Sequence, residues 1–175
     1  MVVARAIMRR NFLLWILLSV PFVPRELSAQ KTDTADIYIA AVAYVRDKVR
    51  HYEGGPVVAC ASVSPPRSLN GLPSPLGVGV DLDSAVLQRI PEGHIPVRPG
   101  SACYVNSRRV SARLEAGTDR PAVSIVVGIP EIDGDHAHIL AQLSINGRSG
   151  RGFACSMIRR EAKWWVDSCT PTWIS

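Results

Sequence analysis

Apolar residues recur at intervals of four and three from Tyr38 through Val42, Val45 and Val49 to Tyr52, the spacing of one face of an α-helix. Asp33 or Thr34 stands where an N-cap belongs, and Gly54-Gly55 follows with the backbone freedom that ends helices. The pattern predicts a helix from about Ala35 to His51. Pro56 to Val63, rich in Val and Ala, is short enough for a buried strand, but its periodicity alone leaves helix and strand open. Pro65 to Gly79 is crowded with Pro, Ser, Gly and Asn and reads as a surface loop. A short helix capped by Asp83 or Ser84 is expected to about Ile90, before another turn-rich passage to Gly100. Residues 64–105 together read as an irregular, Pro/Gly-rich insert.

The last third is patterned differently. Arg109–Leu114, Ala122–Ile129, Ala137–Asn146, Gly152–Arg160 and Lys163–Cys169 read as strands, with turns at Asp133-Gly134 and Gly147–Gly150. In the third of these, Ile139, Ala141, Leu143 and Ile145 face one way, while His138, Gln142, Ser144 and Asn146 face the other, with Leu140 as an apolar exception among them. That alternation predicts an antiparallel sheet with one wet face. Consecutive strands with short turns form a meander, and the helix has the stripe to pack across it. The expected architecture is α+β, an N-terminal amphipathic helix on a curved antiparallel sheet of about five strands.

The closing segment Met157-Ile158-Arg159-Arg160-Glu161-Ala162-Lys163-Trp164-Trp165-Val166, with Trp173-Ile174-Ser175 after it, resembles the last hairpin of NTF2-like and cystatin-like domains. Those domains often end on an apolar-apolar-Arg-x-x-Gly-x-Trp-x-Val pattern; here Ala162 stands in place of the Gly. The resemblance covers the C-terminal hairpins and the leading helix. It implies the same α+β architecture, in a superfamily that hosts isomerases, dehydratases and many non-catalytic binding modules. It also implies that an enzyme of this kind would set Asp, His or Tyr in an apolar pocket, for which Tyr38, Tyr44, Asp81, Asp83, His94 and Asp167 are available. Tyr38 lies on the helix stripe and reads as core, and Asp83 reads as a cap. A cystatin-type inhibitor would need an apolar hairpin tip, which neither Asp133-Gly134 nor Gly147–Gly152 supplies.

The first residues change the picture of the whole. Basic Arg5, Arg9 and Arg10 precede an apolar run from Phe12 to Val23 and then Leu27-Ser28-Ala29-Gln30, the order of a signal peptide. Pro21 and Pro24 close the run short of the roughly 20 residues a membrane span needs. Cleavage is expected after Ala29, with Gln30 the neighbouring alternative, and Met8 would itself start a signal of normal length. Arg9-Arg10-Asn11-Phe12-Leu13 is similar to a twin-arginine signal, although so apolar a run favours export of the unfolded chain. Residues 1–29 are thus expected to be a signal peptide, and 30–175 a single domain exported to the periplasm or outside the cell, with no membrane anchor after cleavage.

Removing residues 1–29 from the 175 leaves 146, and also removes four of the 20 basic and one of the 15 acidic residues. The formal charge falls from +5 to +2, so the high isoelectric point is largely the signal's. A nearly neutral domain lacks the clustered Lys and Arg that nucleic-acid binding requires, and that partner class is excluded.

Export makes disulfides the default for Cys60, Cys103, Cys155 and Cys169. Cys155 and Cys169 flank a hairpin turning near Glu161-Ala162, and a three-residue loop there places them opposite each other; Cys60 is left for Cys103. On loop entropy the two links would contribute about 3 and 4 kcal/mol respectively. No Cys-x-x-Cys or Cys-His cluster points to a metal instead.

Candidate chemistry is sparse. Asp133-Gly134-Asp135-His136-Ala137-His138 sets two imidazoles on one side of a strand beside two carboxylates, but offers no third metal ligand beyond what a turn and a wet strand face already explain. Ser149 in Gly147-Arg148-Ser149-Gly150 lacks a nucleophile-elbow frame. No catalytic residue, cofactor or metal is assigned. Trp164 and Trp165 must face opposite sides of a strand, so one is exposed or covered by something else; with Arg159 or Arg160 beside it, it is the best indication of an interaction site, and Trp173 is a further aromatic. The expectation is a non-catalytic exported domain that binds a protein partner or small ligand. A lyase or isomerase with an apolar pocket is the alternative.

Overall fold

Two long antiparallel hairpins organise the chain. In the computed structural model, which describes residues 25–49, 58–64, 79–106, 112–118, 120–146 and 149–174, strand β8 (His136–Asn146) pairs along its length with β9 (Ser149–Arg160). That strand in turn pairs with β10 (Lys163–Ile174). The other edge of β8 is divided end to end among β7 (Glu131–Asp133), β6 (Ala122–Val127) and β5 (Ala112–Glu115). Beyond β6 lies β1 (Val58–Val63), whose far edge is shared by β2 (Val80–Asp81) and β3 (Val97–Pro99); β4 (Cys103–Asn106) pairs with β5. The sheet path is β10-β9-β8-β6-β1-β2.

The α+β class stands, with two corrections. Among the described residues the sheet has ten strands in place of about five, and it is mixed: β1 runs parallel to both β3 and β6. The meander supplied the expected antiparallel strands. The ambiguous run at 58–63 became a central strand buried on both sides, for which an uninterrupted apolar stretch is the normal pattern. The sheet is open, with β10 at one end of the path and β2 at the other.

Helix α1 (Arg25–Asp47) lies across one face. Its Ile37, Ala41, Val42 and Val45 are wholly buried against the alternate residues Val123 and Ile125, Ile139 and Ala141, and Cys155 and Met157 of the three strands beneath. The helix begins earlier than Asp33 and ends at Asp47, ahead of the expected His51. Asp33 is therefore a mid-helix residue. Its carboxylate serves β9 and β10, as described below. The end is fixed by Arg46, buried in spite of its charge, which donates from Nη1 to the Pro91 carbonyl and from Nε to Asp47 at 2.8 Å. Tyr52, Gly54-Gly55, the loop at 65–78, Arg109 and residues 147–148 fall outside the described residues, as does the signal reading of residues 1–24.

In the segment before β4, Asp83 caps α2 (Ser84–Arg89) by accepting from the Ala85 N–H at 2.8 Å. Two disulfides fasten the molecule. Cys60–Cys103 ties this segment to the central strand β1, and Cys155–Cys169 joins β9 to β10.

The face away from α1 is not uniformly wet. Gln142 and Ser144, expected to meet water, are 3 % and 7 % exposed, and Ser62 and Ser124 are buried beside them on the same face. Along β9 that face carries Gly150 and Gly152, over which the Trp173 ring of β10 lies. A Cβ on Gly152 would stand 2.2 Å from the Trp173 Nε1.

Candidate functional site

The turn between β9 and β10 sets the geometry of the candidate residues. Arg160 pairs with Lys163, so the loop has two residues, Glu161 and Ala162, with φ of 50° and 59°. Both positive values are what a type I′ turn needs, and neither residue is the Asn or Gly that adopts them at least cost. The expected three-residue loop is therefore corrected. Opposition of the cysteines arises further on: Val166 faces Met157 but Ser168 faces Ser156, leaving Asp167 as an extra residue in a bulge. That single insertion moves Cys169 opposite Cys155, with their Cα atoms 4.1 Å apart.

Trp164 and Trp165 separate as a strand requires. Trp164 is 5 % exposed and packs in the core, while Trp165 is 56 % exposed. Arg159 goes with the buried ring: its guanidinium lies over Trp164 at 5.3 Å from the ring centroid. Nη1 donates to both Asp33 oxygens at 3.0 and 2.9 Å, Nε donates to Asp135 at 2.8 Å, and Nη2 donates to the Gly134 carbonyl at 3.2 Å. Trp164 Nε1 also donates to Asp33, at 3.2 Å. Asp135 first, with Asp33, holds the Arg159 guanidinium above its ordinary pKa. The structure thus splits the three candidates. Arg159 and Trp164 lock α1 to the last hairpin, and Trp165 stands clear.

Trp165 borders an open groove of about 490 Å³ between α1 and β10. Ile39, Ala40, Ala43 and Tyr44 form its helical wall, and Val166 lies beside Trp165 on the strand side. At the mouth Arg89 of α2 pairs with Asp36, and Lys163 has no ion-pair partner among the described residues. Sequence reasoning missed this helical wall. Its signal was present: Ile39, Ala40, Ala43 and Tyr44 form a second apolar stripe at i, i+4 spacing beside the one that meets the sheet.

The remaining candidates disperse. His136 and His138 sit on the exposed face of β8, where the Ser156 hydroxyl approaches His138 Nδ1 at 3.4 Å. Asp135 is occupied by Arg159, and among the described residues no group of three or more His, Cys, Asp or Glu could hold a metal. Gly134 has φ of 58°, the conformation a Gly-first hairpin turn uses. Tyr38 packs half-buried against the core, and burial raises its hydroxyl pKa. Asp81 accepts from the Ser101 N–H at 2.7 Å and from its hydroxyl. His94 Nε2 meets the Val49 carbonyl at 3.0 Å near the end of α1, and Asp167 is the exposed bulge residue. Ser149 begins β9, and Trp173 covers the glycines on the other face. None of these but Tyr44 lines the groove at Trp165.

A feature with no counterpart in the sequence reading is Glu115, buried at the end of β5. It accepts from Thr118 Oγ1 and Arg120 Nε, both at 2.8 Å, with Arg98 of β3 at 3.8 Å. The Thr118 hydroxyl and Arg120 hold its carboxyl below the usual glutamate range.

Comparison with protein-family models, curated proteins and solved structures finds no match to this chain.

Proposed function

We propose that this is a non-catalytic, exported binding domain that takes a small apolar ligand into the groove between α1 and β10. The observation that carries the reading is the groove itself, where the apolar stripe Ile39, Ala40, Ala43 and Tyr44 of α1 faces β10 across a volume within the roughly 300–1,000 Å³ of small-molecule sites, with Trp165, more than half exposed, at its edge. Its Arg89–Asp36 pair neutralises itself and Lys163 stands exposed at the mouth, so the apolar lining between them favours a ligand that is mainly uncharged. The two disulfides fit an oxidising, exported environment, and no helix among the described residues is long and apolar enough to cross a membrane. Together with the signal pattern of residues 1–29 they support secretion to the periplasm or beyond. A leading helix laid over a closing meander supports kinship with NTF2-like domains, which is part of the same proposal. For the lyase or isomerase alternative no observation speaks specifically: the acid among the described lining residues, Asp36, is held at the mouth by Arg89.

Titration of the exported, oxidised chain with the neutral probe N-phenyl-1-naphthylamine tests the reading. Saturable fluorescence enhancement is expected, weakened about tenfold by Trp165→Ala and by the groove-filling Ala43→Leu. Non-saturating enhancement, or equal enhancement in both variants, would overturn it.

A further inference from the structure

The inward face of β9 carries an arginine near each end, and among the described residues only one of them meets a carboxylate. Arg159 and Arg151 share that face with Phe153, Cys155 and Met157, by strict alternation along the strand. Arg159 meets two carboxylates, Asp33 and Asp135. Arg151 meets none among the described residues. It stands at the far end of the helix-bearing face, where α1 has ended but the hairpin continues, beside a second groove of about 370 Å³. Leu143 and Ile145 of β8, Phe153 of β9 and Pro171 of β10 line it. Lys48, immediately after α1, approaches from the helix side with its ammonium over the Tyr44 ring at 4.6 Å from the centroid.

Among the described residues this lining has two cations and no Asp or Glu. Both side chains are exposed and hydrated in the free chain, and Lys48 rests on an aromatic face instead of a carboxylate, so their paired positive charge is left for an anionic ligand to complement. We propose that this groove binds a small amphipathic carboxylate, its anionic head between Lys48 and Arg151 and its apolar tail along Leu143, Ile145 and Phe153. The volume, at the low end for small-molecule sites, suits a medium-length acyl chain or a single aryl group. Arginine offers a carboxylate two parallel N–H donors, and lysine adds a mobile point charge. The site is separate from the groove at Trp165, with Tyr44 as a residue common to both.

Calorimetric titration of the exported, disulfide-intact chain with hexanoate, octanoate and decanoate tests this, with 1-decanol as the uncharged control. Saturable binding is expected to strengthen about fourfold per added methylene, as burial of apolar chain predicts. Decanoate should bind at least tenfold more tightly than decanol. Lys48→Gln with Arg151→Gln, both at exposed positions, should remove that preference, Arg151→Lys should keep part of it, and Lys48→Glu with Arg151→Glu should transfer it to decyltrimethylammonium. Trp165→Ala should leave decanoate binding unchanged, which separates this site from the first groove. Equal affinity for decanoate and decanol, a Gln pair that binds decanoate as the unaltered chain does, or loss of decanoate binding on Trp165→Ala alone would each overturn the proposal.

Discussion

Arg159 on β9 and Asp33 on α1, 126 positions apart in the chain, meet through two hydrogen bonds from one guanidinium nitrogen. The same carboxylate accepts from the Trp164 indole, so one acid joins the helix to two neighbouring strands. Asp33→Ala leaves a buried indole N–H without its acceptor and should destabilise the fold by about 1–3 kcal/mol in denaturant titrations. Arg159→Ala should cost a similar amount. Because the two changes share one network, the double variant should be less unstable than the sum by at least about 0.5 kcal/mol. Additive losses would show that the pair is a surface contact only.

The β9–β10 turn holds Glu161 and Ala162 in a left-handed conformation that costs L-residues roughly 1–2 kcal/mol each. Glu161→Asn with Ala162→Gly supplies the pair that prefers this turn. Thermal unfolding of the double variant should move upward, by about 2–4 °C per kcal/mol recovered in a domain of this size. A lower melting temperature would mean that the turn is of another type.

Asp167 is the residue whose insertion brings Cys169 opposite Cys155. Deleting it should return Ser168 to that position and turn Cys169 to the outer face, since a one-residue slip reverses every side chain beyond it. Thiol labelling of the denatured deletion variant should then find two reactive cysteines where the unaltered chain has none. Asp167→Ala keeps the residue count and should keep the disulfide.

Glu115 makes stability depend on pH in a definite direction. Thr118 and Arg120 lower its folded pKa beneath the ordinary value of 4.5, so the folded state favours the ionised form. Its contribution is complete above the unfolded pKa and is lost as pH falls through the lower folded value. The melting temperature of the unaltered chain should exceed that of Glu115→Gln by a constant margin from pH 6 to 8, and the margin should shrink below about pH 4.5. A margin that persists at pH 2 would assign the effect to packing.

The parts of this fold that were legible in the chain are those in which one residue's surroundings repeat at a fixed interval. Ile139, Ala141 and Leu143 alternate over a strand long enough for the period to register, and they point where alternation says. Strands β2, β3, β4 and β7 have two to four residues and so contain only one or two periods, too few for alternation to stand out. The stretch 58–63 announces burial on both sides but not its partners, because β6 is reached only after an intervening segment. Asp33 read as a cap because capping is local, whereas the guanidinium that claims it comes from the other end of the domain. The two-residue turn was missed for want of a Gly, and the bulge at Asp167 for want of any local sign. At the candidate site, Trp165 was reachable from strand alternation. The groove beside it required knowing that α1 carries two apolar stripes and that the sheet covers only one.

Three short strands abut the same edge of β8, and the chain enters and leaves the ladder at each junction. Insertions there would break no run of backbone pairing, and they lie on the opposite side of β8 from the β9–β10 hairpin that helps line both grooves. The architecture therefore separates what can drift in length from what must stay in place, leaving homologues free to diverge along one flank of β8 while the ligand-facing hairpin keeps its shape.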